Sequence, residues 1–501
     1  MKTVLTYLES FFSLSSDQIR SWFEYDPSNP LLFSTSLFLG LFLVFYLVYI
    51  LTKKYAHFRT VYVFLFSMFF YYKAGGEYFI LLILSALINY ILSEVMDLST
   101  KKSVRKSILS ITVVLNLLVL AYYKYTNFFI DNLNDLFHEN FQLQHIILPV
   151  GISFFTFQAI SYSIDLYRKE LKPAKNVLDF AFYLSFFPQL VAGPIVRAKE
   201  FLPQMYSQIS LSKKEAGLAL FLIIMGLVKK SVISDYISLN FVDRIFDSPL
   251  SYTPFETLMA AYGYTLQIYC DFSGYSDMAI GIALLMGFKL PENFRTPYKS
   301  LSVTEFWRRW HITLSRWLRD YLYIPLGGNR KGKFRTYINL FLTMLIGGLW
   351  HGSAWKYIAW GALHGGALAV ERLFRQFVKL PEKNILVNLF CGLLTFHFVA
   401  FCWIFFRAAD FGVARTVIEN ITRLEYNPEA WLTVIQAYRN VFILIFAGFI
   451  LHFTPKRLSD MVEMSFLKLP YIGRAIIVGG VFWLVYATAS SGTQPFIYFQ
   501  F

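Results

Sequence analysis

Apolar runs of membrane-crossing length recur along the whole chain. A transmembrane helix needs about 20 mostly apolar residues. Nine segments read clearly as such: 31–51, 59–73, 78–93, 107–123, 146–166, 216–235, 386–406, 439–455 and 471–489. Four more, 178–192, 256–288, 336–350 and 353–371, are less regular. With some of these entering only half-way, the pattern predicts roughly 11 spans plus re-entrant and interfacial helices. Composition agrees: 56% of the 501 residues are hydrophobic and 16% are charged, against roughly 25% charged in an average soluble domain. Several soluble cores could not be covered with so little polar surface, and a disordered chain, a collagen-like fibre or a disulfide scaffold is excluded. The expected fold is all-α, a polytopic integral membrane protein, with residues 1–501 forming a single domain. Cys270, Cys391 and Cys402 lie in apolar runs without CxxC spacing, so no cysteine zinc site is expected, and no metal.

The formal net charge is +14. Nucleic acid binding is not expected, because no soluble module remains to perform it. Basic residues instead mark cytoplasmic loops. Lys53, Lys54 and Arg59 form one block; Lys101, Lys102, Arg105 and Lys106 a second; Arg168, Lys169, Lys172 and Lys175 a third. Pairs of spans separate these blocks, so all three fall on one side. The intervening loop 126–145 is acidic, with Asp131, Asp135 and Glu139, and its nearest cation is Lys124. The N-terminus and this loop are therefore expected to face outward. Residues 1–30 lack the basic and apolar regions of a cleaved signal peptide and read as an interfacial segment. Residues 289–335 carry eleven lysines and arginines against three acids, the largest cytoplasmic loop by charge. Inside it, Ser302–Glu305 signals a helix start. The helix predicted to follow sets Phe306, Trp310, Leu314 and Trp317 on one face and Arg308, Arg309, Arg316 and Arg319 on the other, an interfacial amphipathic pattern with His311 at its edge.

Of eight histidines, His57, His138, His145, His397 and His452 default to structural or surface roles. His311, His351 and His364 fall in one dense stretch of glycine, tryptophan and cations. The run 336–350 begins after the cations of 330–335 and ends in Gly347-Gly348-Leu349-Trp350-His351-Gly352. Fifteen helical residues rise only about 22 Å, short of a roughly 30 Å hydrocarbon core. With glycines breaking the helix there, His351 sits inside the membrane. An ionisable residue at that depth is a functional hypothesis; hydrogen bonding between helices is the alternative. Histidine is the usual group for taking a proton from a hydroxyl near neutral pH. No GxSxG, HExxH, Walker A or GxGxxG motif offers another chemistry. Asp271-Phe-Ser-Gly-Tyr-Ser-Asp277 reads as a glycine-containing turn, serving structural hydrogen bonds or lining a substrate path. Residues 187–194, with Pro188, Gly193 and Pro194, suggest a re-entrant segment.

The ordered set of motifs resembles the membrane-bound O-acyltransferase (MBOAT) family, and within it the branch that O-acetylates alginate and other bacterial polysaccharides. The stretches are Leu148–Gln158, Phe187–Pro194, Asp271–Asp277, Asn293–Tyr298, Phe306–His311, Tyr323–Asn329, Gly348–Gly352 and Pro495–Phe501. The resemblance implies a helical funnel around an intramembrane tunnel. It implies that His351 is catalytic and that His311 is the second central histidine, on the cytoplasmic approach. Arg308, Arg309, Trp350, Asp271 and Asp277 are the further candidates along the donor and acceptor path. The implied reaction moves an acetyl group from a cytoplasmic thioester, acetyl-CoA or an acyl carrier protein, with no bound cofactor. The implied setting is the bacterial inner membrane and its lipid, with an SGNH-type acetyltransferase partner on the outer side. D-alanyl transfer to teichoic acid and a non-catalytic acyl or polymer transporter are the alternative readings.

Overall fold

The structure, a computed structural model, describes residues 16–378, 384–488 and 494–497. Every regular element among the described residues is helical. Helices Ser36–Thr52, Ala56–Gly75, Phe79–Leu98, Lys102–Phe137 and Ile152–Tyr167 make up the N-terminal part. Ser16–Phe23 begins the described chain; residues 1–15 of the expected interfacial segment lie outside it. Gly76 at φ +65° interrupts the helical path between Ala56–Gly75 and Phe79–Leu98, as the separate apolar runs 59–73 and 78–93 predict.

Pro254–Leu285 forms the centre. Thr253 caps it in a reciprocal capping box with Glu256, and Pro254 stands at its first turn, where a missing N–H costs nothing. Most of this helix is buried. It crosses Lys213–Leu227 at two glycines: a Cβ on Gly226 would lie 2.5 Å from the Gly274 carbonyl oxygen, and one on Gly274 2.7 Å from that of Gly226. Small residues let the two backbones touch. The expected turn at Asp271–Asp277 is therefore corrected to continuous helix, because Gly274 serves helix contact and does not bend the chain.

Lys333–His351 and Trp355–Phe377 form a close pair. A Cβ on Gly348 would lie 2.2 Å from the Tyr357 carbonyl oxygen, and one on Gly361 2.4 Å from that of Met344. The expected break at Gly347-Gly348 is also corrected. The helix runs through both glycines, and the chain turns at extended Gly352, directly after His351. At the periphery, Tyr471–Thr488 buries no residue.

Counted by length and apolarity among the described residues, five helical stretches are fit to cross a membrane: Ala56–Leu98, Lys102–Phe137, Lys213–Asp247, Ile385–Arg407 and Tyr471–Thr488. The pair Pro428–Ala437 and Arg439–Phe453, bent by 94°, would make a sixth. That is below the predicted number for two reasons. The first stretch contains two helices of 20 residues each. Inner helices such as Pro254–Leu285 face protein on all sides and carry polar groups that a lipid-facing helix would not.

Hydrogen bonds gather the basic segments on one face. Arg59 donates to the Met205 carbonyl at 2.5 Å, Arg105 to those of Met96 at 2.8 Å and Leu166 at 3.1 Å. Arg168 donates to the Asp320 carbonyl at 3.3 Å, and Arg197 pairs with the Asp320 carboxylate at 2.6 Å. The opposite face holds the N-terminal segment, where Lys73 Nζ donates to the carbonyls of Ser21 and Glu24. It also holds the 126–145 segment, where Asn127 Nδ2 donates to the Gln144 carbonyl at 2.9 Å.

Candidate active site

The basic stretch 289–335 builds one wall of the site. Ser302 caps the helix Val303–Arg309 by accepting from the Glu305 N–H at 3.1 Å. The expected single interfacial helix is corrected here. The chain breaks at His311, which adopts φ +41° and ψ +55°, and a second helix runs Ile312–Leu318. A left-handed conformation is uncommon for a residue with a Cβ, and surrounding contacts hold this one. Asn293 Oδ1 lies 3.1 Å from His311 Nδ1 and accepts from the Thr313 hydroxyl at 2.9 Å. The Asn293 carbonyl accepts from the Ile312 N–H at 2.9 Å. The kink swings His311 inward, to 0% exposure, and the apolar face packs on protein.

Three histidines and three tryptophans then form a continuous chain of ring contacts. Trp350 lies 6.1 Å from His311 and 5.0 Å from His351, between ring centroids. Trp360 lies 5.0 Å from His351 and 4.7 Å from His364. Trp307 lies 5.3 Å from His364 and donates Nε1–H to its Nδ1 at 3.3 Å. His351 is 3% exposed and His364 0%. The close glycine contacts of the Lys333–His351 and Trp355–Phe377 pair are what bring Trp350, His351, Trp360 and His364 into one layer.

Cavities lie on two sides of this layer. The larger, about 1220 Å³, is lined by Trp307, Leu318 and Met344 and by Arg295, Arg308, Arg309, Arg316, Arg319, Arg372 and Arg375, against only Glu305 and Glu371. Two ring contacts connect its wall to His351: Trp307 to Trp360 at 5.6 Å, then Trp360 to His351. The smaller, about 50 Å³, is lined by His351, Trp350, Lys124, Val191 and the segment 148–154. Planar guanidinium groups suit phosphate-bearing ligands.

The predicted residues thus divide. His311, His351 and Trp350 come together, and Arg308 and Arg309 line the wide cavity beside them. Asp271 and Asp277 line neither cavity. Asp271 accepts from Lys230 at 2.5 Å and from the Ile497 backbone N–H at 3.1 Å, and Asp277 pairs with Lys229 at 2.6 Å. Their structural alternative fits this geometry. His57, His138, His145 and His397 are exposed, and buried His452 accepts from the Tyr298 N–H at 3.1 Å. Among the described residues no cluster of metal-ligating side chains occurs. Sequence reasoning missed Asn293, Trp360 and Lys124. Lys124 carried a readable signal, a lysine ending an apolar run; Asn293 opens one of the motif stretches but had no role assigned to it, and Trp360 carried no signal, since only the kink at His311 and the helix pairing bring them to the site.

The fold is that of a polytopic helical membrane protein whose buried histidine layer reaches an arginine-lined cavity through Trp307 and a narrow one through Trp350 and His351. The chain belongs to the membrane-bound O-acyltransferase family, whose model matches residues 68–406, and it is an acyltransferase. It is 39% identical over 424 residues to the peptidoglycan O-acetyltransferase of Helicobacter pylori, covering 79% of this chain and 80% of that protein. It is 37% identical over 499 residues to the probable alginate O-acetylase AlgI of Pseudomonas putida, covering 94% of this chain and 100% of that protein. The teichoic acid D-alanyltransferase of Bacillus subtilis is more distant, 29% identical over 283 residues, covering 53% of this chain and 70% of that protein.

Proposed function

We propose that the protein transfers an acetyl group from a cytoplasmic thioester into the O-acetylation of an extracytoplasmic polysaccharide. The carrying observation is the buried His351 between a wide arginine-lined cavity and a narrow one. Acetyl-CoA docks in the wide cavity, its phosphates on the arginines. His351 is the general base: it takes the proton of the accepting hydroxyl as that oxygen attacks the thioester carbonyl, and the thiolate leaves and takes up a proton. His311 positions the donor side of the layer through the Asn293–Thr313 hydrogen bonds. We read the face carrying Arg59, Arg105 and Arg168 as cytoplasmic by the positive-inside rule, with the N-terminal segment outward and the bacterial inner membrane as the setting. An SGNH-type acetyltransferase then completes transfer to sugar. The whole chain 1–501 acts as one domain, a reading supported by one large apolar core with members from Leu31 to Ile497, beside a small second cluster of Met96, Ile108 and Leu166. The identities to O-acetyltransferases over most of the chain favour acetyl over D-alanyl transfer.

The test is chemical analysis of exported polymer from cells carrying the wild type or His351→Ala. Ester-linked acetate is expected to disappear with the variant while protein level is maintained. Loss of ester-linked D-alanine instead would replace the acetyl reading by the D-alanyl one.

A further inference from the structure

A helix that ends inside a membrane protein leaves its last carbonyls without partners, and lipid supplies none. Lys333–His351 is such a helix. Its next residue, Gly352, is extended at φ −166° and ψ 156°, so the chain does not curl back to close the end. The donors come from another helix. Tyr125 Oη donates to the Leu349 carbonyl at 2.8 Å, and Lys124 Nζ donates to those of Trp350 at 2.6 Å and His351 at 3.1 Å. Two adjacent residues of Lys102–Phe137 therefore hold three consecutive carbonyls of the turn that carries His351.

The same helix face continues to grip beyond the histidine. One turn on, the Phe128 ring lies 5.8 Å from that of Trp355. A further turn on, Asn132 Oδ1 accepts from Trp355 Nε1–H at 2.8 Å. Positions 124, 128 and 132 share one helix face. At its other end this helix is tied by Arg105 to the carbonyls of Met96 and Leu166. The turn from Leu349 to Trp355 is thus clamped at both ends by one anchored element.

We propose that Lys124 and Tyr125 are positioning residues that hold the His351 backbone, and through it the imidazole, at the distance the reaction needs. The proposal rests on His351 as the base. A lysine is a costly way to satisfy carbonyls at this depth. This one also shares the narrow cavity with His351. A misplacement of about 1 Å at a reacting group can cost about 10²-fold in rate.

The test uses the full-length protein in inverted membrane vesicles, with radiolabelled acetyl-CoA as probe and labelled acetyl release or transfer as readout. Lys124→Met keeps the side-chain length without the donor. It is expected to lower kcat about tenfold or more while KM for acetyl-CoA stays within about twofold. Tyr125→Phe, which keeps the ring packing, is expected to lower kcat about threefold or more with KM equally unmoved. In a His351→Ala background, Lys124→Met should change the residual rate by less than about twofold, because both act through one group. A kcat within about twofold of wild type for either single variant overturns the proposal, as does a raised KM with kcat intact. Should Lys124→Met fail to accumulate, the same limits on Tyr125→Phe decide the question. Full activity of His351→Ala would instead remove the base assignment, and this proposal with it.

Discussion

The two cavities differ in nearly every physical respect, though the same histidine layer separates them. One encloses about 1220 Å³ and is lined by seven arginines against two glutamates. The other encloses about 50 Å³ and is lined largely by the segment 148–154 with one lysine. A water molecule occupies about 30 Å³ in the liquid, so the small cavity excludes anything the size of a nucleotide thioester. The large one admits it. In the proposed reaction, volume and charge set the substrate sides, and the wall between the cavities carries the reactive group. That wall is aromatic and closely packed, which in the proposed reaction keeps bulk water away from the acyl donor.

The sharpest way to break this comparison is to disable the wall while leaving the wide cavity alone. His351→Gln preserves size and hydrogen bonding but cannot take a proton at neutral pH. Loss of a positioned general base costs about 10²–10⁴-fold. The expected result is a kcat lowered by at least about 10²-fold with KM for acetyl-CoA unchanged, read in vesicle assays. Retention of more than about a tenth of wild-type kcat would transfer the base role to His311.

Reversing charge in the wide cavity alone should act on binding. Arg308 is exposed, and Arg309 is paired with Glu305 at 2.7 Å, so Arg308→Glu with Arg309→Glu removes two cations without opening the core. A charge-assisted hydrogen bond contributes about 1.5–3 kcal/mol, and about 1.4 kcal/mol is tenfold in affinity. KM for acetyl-CoA is expected to rise about tenfold or more with kcat held, and the rise to grow in low salt. An unchanged KM would reduce these arginines to topological anchors.

The smallest effect should come from separating the two duties of His311. Its backbone sits at φ +41°, a conformation asparagine tolerates better than alanine. His311→Asn is expected to accumulate to higher levels than His311→Ala, measured by fluorescence-detected chromatography. Both should lower the rate by loss of the ring that packs 4.7 Å from Phe272. Equal accumulation of the two variants would show that the left-handed kink carries no stability.

Much of this was readable before any fold was known, and the reasons are specific. His351 stood out because a run too short to cross ends at a histidine, and the depth argument needs only rise per residue. Arg308 and Arg309 stood out because they follow a helix-start signal at Ser302. The kink at His311 was not readable. Helical periodicity continues through it, and the hydrogen bonds to Asn293, 18 residues away in the chain, are among the contacts that hold the left-handed conformation. Gly347 and Gly348 were misread for a related reason. A glycine in an apolar run signals either a break or a close helix contact, and the two differ only in whether a partner helix is present.

What the sequence by itself determined is the class of solvent each segment faces and where its basic and acidic blocks fall along the chain, since these depend on composition and local spacing; it also singled out His351 as the candidate base. What only the tertiary structure decided is which groups meet. Lys124 and His351 are 227 positions apart along the chain, and the layer joining His311, His351 and His364 exists because glycine contacts pair two helices and the kink at His311 turns a third segment toward them. Such contacts depend on the shape of distant surfaces, and no local pattern encodes them.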